Sequence, residues 1–252
     1  MDLREREREW RQWEQTPFSG WDFGRLEGHI SEEPLPWDYA ALAREALSGA
    51  RSVLDVGTGG GEMLASLCDA WPARVIATET YPPNARLAHE RLSPLGARVV
   101  HAMDEIDQPL PLADACFDLV LNRHSSYNLT DYARLLRPGG HLLTQQVDGS
   151  DLQDLASRFD ARPQWLFQQL ALAKSWALRA GFTVDFAAEW QGTIAFRSVG
   201  ALVYFLKAIP WIVPGFSVDG HREVLVALQE QLDANEPLVY TQRRYLLQAH
   251  LH

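Results

Sequence analysis

The residues best suited to chemistry in this 252-residue chain are carboxylates and glycines set close together. Asp55 stands two positions before Gly57 in the stretch VLDVGTGGGE, residues 53–62, and Glu79 closes the next apolar run, VIATET, with Thr80 beside it. Gly57 and Gly59 can adopt backbone conformations closed to other residues and let a ligand approach the main chain. A dinucleotide-binding turn wants glycines at the first, third and sixth positions of its fingerprint. Here the sixth position is Glu62, whose carboxylate would repel a diphosphate at a helix start. No Gly-Lys-Ser/Thr follows, so a triphosphate-binding loop is absent too. The crevice therefore suits a ligand that carries positive charge and no phosphate.

A second group of candidates lies further along. His124 follows the apolar run 117–122 and is the side chain best placed to act as a base, because strand C-termini open on the crevice of an α/β sheet. Tyr127 is placed to orient an acceptor. Gln145 and Gln146 end another run, and alternation sends their side chains to opposite faces, so one of the two reaches the pocket. Each has a plainer alternative: a cap for Asp55 and Glu79, a loop-bonding imidazole for His124, packing for Tyr127, and backbone-satisfying amides for the glutamines.

The elements that must hold these residues alternate. Strands are expected at 52–56, 74–78, 97–101, 117–122 and 140–147, with helices near 61–71, 83–92, 129–136 and 151–158 or 163–180. Helices are also expected at 3–15 and 38–48. GFTVDFAAEW reads as a sixth strand and YTQRRYLLQAHL as a last one, with a mainly helical segment between them. Such alternation argues for a parallel sheet with helices on both faces. The expected organisation is an N-terminal helix and aromatic arm over 1–46, a core over 47–190, a helical insertion over 191–236 capping the acceptor pocket, and a final strand over 237–252.

In order, the glycine turn, VIATET, MDEIDQPLPLADACFDLVLNRHSSYN and LLRPGGHLLTQQV resemble the class I S-adenosylmethionine-dependent methyltransferases over roughly residues 40–190. The resemblance implies a doubly wound, seven-stranded, mainly parallel Rossmann-like sheet with an antiparallel last strand, and S-adenosyl-L-methionine as cofactor. It implies that Asp55 lies near the methionine end, that Gly57, Thr58 and Gly59 cradle the ligand, and that Glu79 accepts from the ribose hydroxyls. Asp104 would take the adenine amino group, with Glu105 its rival, Met103 would pack on the ring, and Asn122 would touch the methionyl part. No Asp/Asn-Asp set of the metal-dependent catechol enzymes is present, so no metal is expected.

Aromatic composition points to a small, partly apolar or aromatic acceptor. The arm supplies Trp21, Phe23, Trp37 and Tyr39, the insertion Tyr204, Phe205 and Trp211, and Gln145 a polar contact. A net charge of −10 disfavours nucleic acid, which needs clustered cations, although Arg243 and Arg244 could form a local patch. Alternatives are transfer to RNA or a protein side chain, or a non-catalytic S-adenosylmethionine-binding module. Two unpaired cysteines, Cys68 and Cys116, fit a reducing, cytoplasmic setting. The apolar stretch VGALVYFLKAIPWIVPGF holds Lys207, Pro210 and Pro214 and cannot span a membrane as one clean helix.

Overall fold

Five short runs rich in Val, Leu and Ile, separated by Gly and Pro breaks, form the parallel part of the sheet in a computed structural model that describes residues 2–21, 23–102 and 108–252. They are β2 (Ser52–Val56), β3 (Arg74–Glu79), β4 (Arg98–His101), β5 (Phe117–Arg123) and β6 (Leu136–Val147), in the order β6-β5-β2-β3-β4. Parallel neighbours require crossovers. Three of these carry α3 (Glu62–Ala65), α4 (Pro82–Leu92) and α5 (Leu129–Leu135). Strand β8 (Leu238–Leu251) lies between β6 and β7 (Phe182–Phe196) and runs antiparallel to both, as expected of the last strand.

The sheet has eight strands rather than the expected seven. The addition is β1 (Ile30–Glu32), which pairs antiparallel with β7 through Ile30 opposite Phe196 and Glu32 opposite Ile194. Three residues with a serine and a glutamate give no usable alternation. Strand β7 also runs on to Phe196, so the helical insertion begins after residue 191.

Alternation along the strands divides the core. Val53, Leu119, Leu121 and Leu143 pack against α2 (Tyr39–Gly49), whereas Leu54, Val56, Val120 and Leu142 face α5 and α7 (Leu170–Arg179). A further core joins α1 (Leu3–Gln15), α8 (Val199–Ala208) and α9 (Arg222–Asp233) to the ends of β7 and β8. Helix α8 is buried along its whole length except Lys207. It meets α1 so closely that a Cβ on Gly200 would lie 2.3 Å from the Trp13 ring. Burial of side chains such as Trp10, Leu202 and Leu206, each contributing roughly 1.5–3 kcal/mol, makes the arm and insertion one firm body. Among the described residues no helix is long and apolar enough to cross a membrane.

Candidate functional site

The glycine turn stands at the C-terminal end of β2. Gly57, Gly59 and Gly61 all have positive φ, of 67°, 62° and 81°. At Gly57 a Cβ would lie 2.1 Å from Ser125 Oγ, so neither the dihedral nor the space admits a side chain. Glu79, at the end of β3, is buried and accepts hydrogen bonds from the Gly59 N–H (2.7 Å) and the Tyr81 N–H (2.8 Å). Two of its four lone-pair positions are thereby used to hold the turn and the start of α4. Asp55 is the penultimate residue of β2, on the α2 face. Burial pushes its carboxyl up to about 7, against the pull of the Thr58 hydroxyl and Arg123, with Glu79 adding to the rise. Tyr39, on the first turn of α2, is buried near Asp55, and its hydroxyl has no partner among the described residues.

The rims of β5 and β6 carry a second constellation. Gln145 Oε1 accepts from the Trp37 indole N–H (2.8 Å), and Gln145 Nε2 lies 2.8 Å from His124 Nε2. His124 has φ 60°, a left-handed conformation rare outside glycine, and its N–H bonds to the Gln145 carbonyl. Burial first, then Arg244 and Arg123, hold its imidazole well below the usual histidine range. The residue nonetheless keeps solvent access.

The aromatic arm reaches this region directly. Trp21 covers the turn so tightly that a Cβ on Gly59 would lie 2.5 Å from its ring. Trp21 also meets Trp211 of the insertion edge-on at 5.8 Å, and Trp211 meets Trp165 at 6.3 Å.

Residues 54–144 match the family described as methyltransferase domain. Over that stretch the chain is similar to methyltransferase domains. It is 31% identical over 115 residues to the ubiquinone/menaquinone biosynthesis C-methyltransferase of Syntrophotalea carbinolica, covering 42% of this chain and 48% of that protein. It is 25% identical over 189 residues to the trans-aconitate 2-methyltransferase of Rhodococcus jostii, covering 69% and 68%. The chain thus spans about half the length of the first relative, and further relatives are named for rRNA and tRNA. A methyltransferase structure from Geobacter sulfurreducens shares the fold at a TM-score of 0.51 and 17% identity, over 90% of this chain and 96% of that one.

The residues of the turn and its neighbours fit S-adenosylmethionine on their own chemistry. The turn has backbone where a Cβ would clash, two acid side chains border it, and a buried phenol hydroxyl awaits a partner. Glu62, in the first turn of α3, is paired with Arg91, which engages that guanidinium and leaves a carboxylate at the helix start where a phosphate would sit. Glu79 retains lone pairs for ribose hydroxyls, and Thr80 bonds the Ala102 carbonyl from the exposed side.

Several expected site residues lie elsewhere. Tyr127 is buried and bonds Tyr245 Oη at 2.8 Å, and its ring packs on Trp176, so it belongs to the core and not beside an acceptor. Asn122 is fully buried. Its amide donates to the Ser126 carbonyl and Tyr132 Oη, both at 2.8 Å, while its oxygen accepts from Gln146, so no group is left for a methionyl moiety. Tyr204 sits within the arm–insertion core against Trp13 and Phe18, away from solvent. Trp21 lies against the glycine turn at Gly59. Met103, Asp104 and Glu105 lie outside the described residues. Two residues went unnoticed in the sequence: Ser125, which excludes a side chain at Gly57, and Arg123, whose guanidinium stands over the Tyr39 ring at 5.8 Å. A cation directly before His124 at a strand end was the available signal.

Proposed function

We propose that this protein transfers a methyl group from S-adenosylmethionine to a small, partly apolar acceptor. The observation that carries the reading is the turn at Gly57 and Gly59, where neither residue has room for a Cβ, set between the Asp55 and Glu79 carboxylates. The cofactor supplies a methyl on a sulfonium, with a neutral thioether as leaving group. Gly57–Gly59 and Glu79 would hold the adenosyl part, and Asp55 the cationic methionyl end. Orientation does most of the remaining work, on the order of 7–11 kcal/mol of barrier for well-placed reactants. Trp21, Trp211 and Trp165 exclude water and offer ring faces to an apolar acceptor.

A small acceptor is favoured over RNA by the fate of the only local arginine pair singled out. Arg244 pairs with buried Asp151, and Arg243 bonds Gln191 and Ser150, so both are engaged by neighbouring side chains. Calorimetry with S-adenosylmethionine, followed by labelled-methyl incubation with a metabolite extract and with total RNA, tests this. Label in a small molecule is expected. Label in RNA overturns the acceptor class, and cofactor binding without any product reduces the protein to a binding module.

A further inference from the structure

The hydrogen bonds around Gln145 have only one consistent polarity. An indole N–H donates and never accepts, so Gln145 must turn its oxygen to Trp37 and its NH2 to His124. His124 Nε2 then accepts, and a neutral ring carries its proton on Nδ1. An imidazolium would set N–H against N–H. The nitrogen a base would use is therefore occupied, and what the ring offers is an Nδ1–H donor with no partner among the described residues.

Arg123 stands on the same side. It is the register partner of Gln145, and the left-handed turn at His124 brings the imidazole back to the Gln145 face instead of the opposite one. Arg123 makes no ion pair or hydrogen bond among the described residues and rests on the Tyr39 ring. Arg244 on β8 is neutralised by Asp151. Asp55 on β2 is the carboxyl that acts on Arg123 among the described residues, and burial raises it to about 7. In a chain of net charge −10, an unpaired guanidinium beside a fixed N–H donor at the crevice is a site for an anion.

We propose that the Trp37–Gln145 relay fixes His124 as an Nδ1–H donor, and that His124 and Arg123 together bind an oxyanionic group, such as a carboxylate, on the methyl acceptor. The acceptor half rests on the methyltransferase reading above. His124 thus positions the acceptor and removes no proton from it.

Two measurements test the halves separately. In protein with 15N-labelled histidine, the signal lost in His124→Gln should show a protonated Nδ1 and a bare Nε2 from pH 5.5 to 8. Gln145→Glu should move the proton to Nε2 and raise the ring's titration by about 1–3 units, since a carboxylate now faces it. A wild-type Nε2–H tautomer, or a titration untouched by Gln145→Glu, overturns the relay. For the acceptor, a metabolite extract is split on an anion exchanger before incubation with labelled S-adenosylmethionine. Product should arise from the retained fraction, and Arg123→Gln should lower kcat/KM about 10- to 100-fold, the scale of a lost charged hydrogen bond, with S-adenosylhomocysteine affinity preserved. Product from the unretained fraction overturns the anion site. So does an equal loss of S-adenosylhomocysteine affinity, because Arg123 would then grip the cofactor's own carboxylate. Absence of product from every fraction overturns the methyltransferase reading and its acceptor half, while the histidine spectra still decide the relay.

Discussion

Gln145 and Gln146 are chemically identical neighbours on β6, yet they serve opposite ends. Gln146 turns into the core, where its amide donates to Asn122 Oδ1 (2.8 Å) and Thr144 Oγ1 (2.7 Å), and Asn122 in turn holds the Ser126 carbonyl and Tyr132. On that side the Asn122 side chain and the Gln146 amide nitrogen find their partners within the protein. Gln145, as buried as Gln146, turns to the α2 face, where its neighbours His124, Arg123, Tyr39 and Asp55 keep unspent donors or a carboxyl raised to about 7. One residue of register separates groups that stabilise the fold from groups that await a ligand. Buried polar networks are costly to leave half satisfied, so the open half is where a bound molecule must complete it.

The contrast breaks most sharply at Asn122. Replacing it with Ala strands the Gln146 amide, a backbone carbonyl and a phenol in the interior, at about 1–3 kcal/mol for each unsatisfied group. Asn122→Ala should lose about 3 kcal/mol in denaturant melts, whereas Gln145→Ala should lose under about 1 kcal/mol, because Trp37 and His124 can turn to water. Equal losses would erase the distinction between the two faces. Next in size is Glu79→Ala, which removes both the clamp on the Gly59 N–H and the proposed ribose contact. S-adenosylmethionine affinity should fall by roughly 1–3 kcal/mol in calorimetry, and unchanged affinity would place the ribose elsewhere. Smaller still, Tyr127→Phe forfeits one buried hydrogen bond to Tyr245, about 1 kcal/mol of stability. Turnover should stay at the wild-type level, and a large drop in kcat would return Tyr127 to the acceptor.

The parallel strands were legible because each is a continuous apolar run bounded by Gly, Pro or charge, and the carboxylate-lined turn because its residues are contiguous in sequence. Strand β1 was not, since three half-polar residues owe their pairing to β7. Tyr204 was drawn to the pocket by aromatic composition alone, whereas Asn122 and Tyr127 were misplaced for a shared reason. Proximity to a strand end says that a residue is near the crevice, but the face it takes depends on register and on the backbone turn after it. The left-handed conformation at His124 is the clearest case, because it sends the ring to the Gln145 side where plain alternation would send it away. The relay through Trp37 joins residues more than a hundred positions apart, and no local pattern announces it.

The finest test of the two faces is their response to pH. Asn122 and Gln146 do not titrate, whereas burial raises Asp55 from the ordinary 3.8 to about 7 in the folded chain. Between those values the folded state holds a proton that the unfolded state has released, so the stability of the free protein should decline as pH rises from about 4 to about 7 and level off above. A cationic ligand beside Asp55 favours the ionised carboxylate and reverses that cost. S-adenosylmethionine affinity should therefore climb through the same window, with proton release visible as a dependence of the calorimetric heat on the buffer. Asp55→Asn keeps the shape and deletes the titration, so both slopes should flatten together. If the Asn variant kept the wild-type affinity profile, the charge would have to reside on another group, and the open face would owe its electrostatics to Glu79 alone.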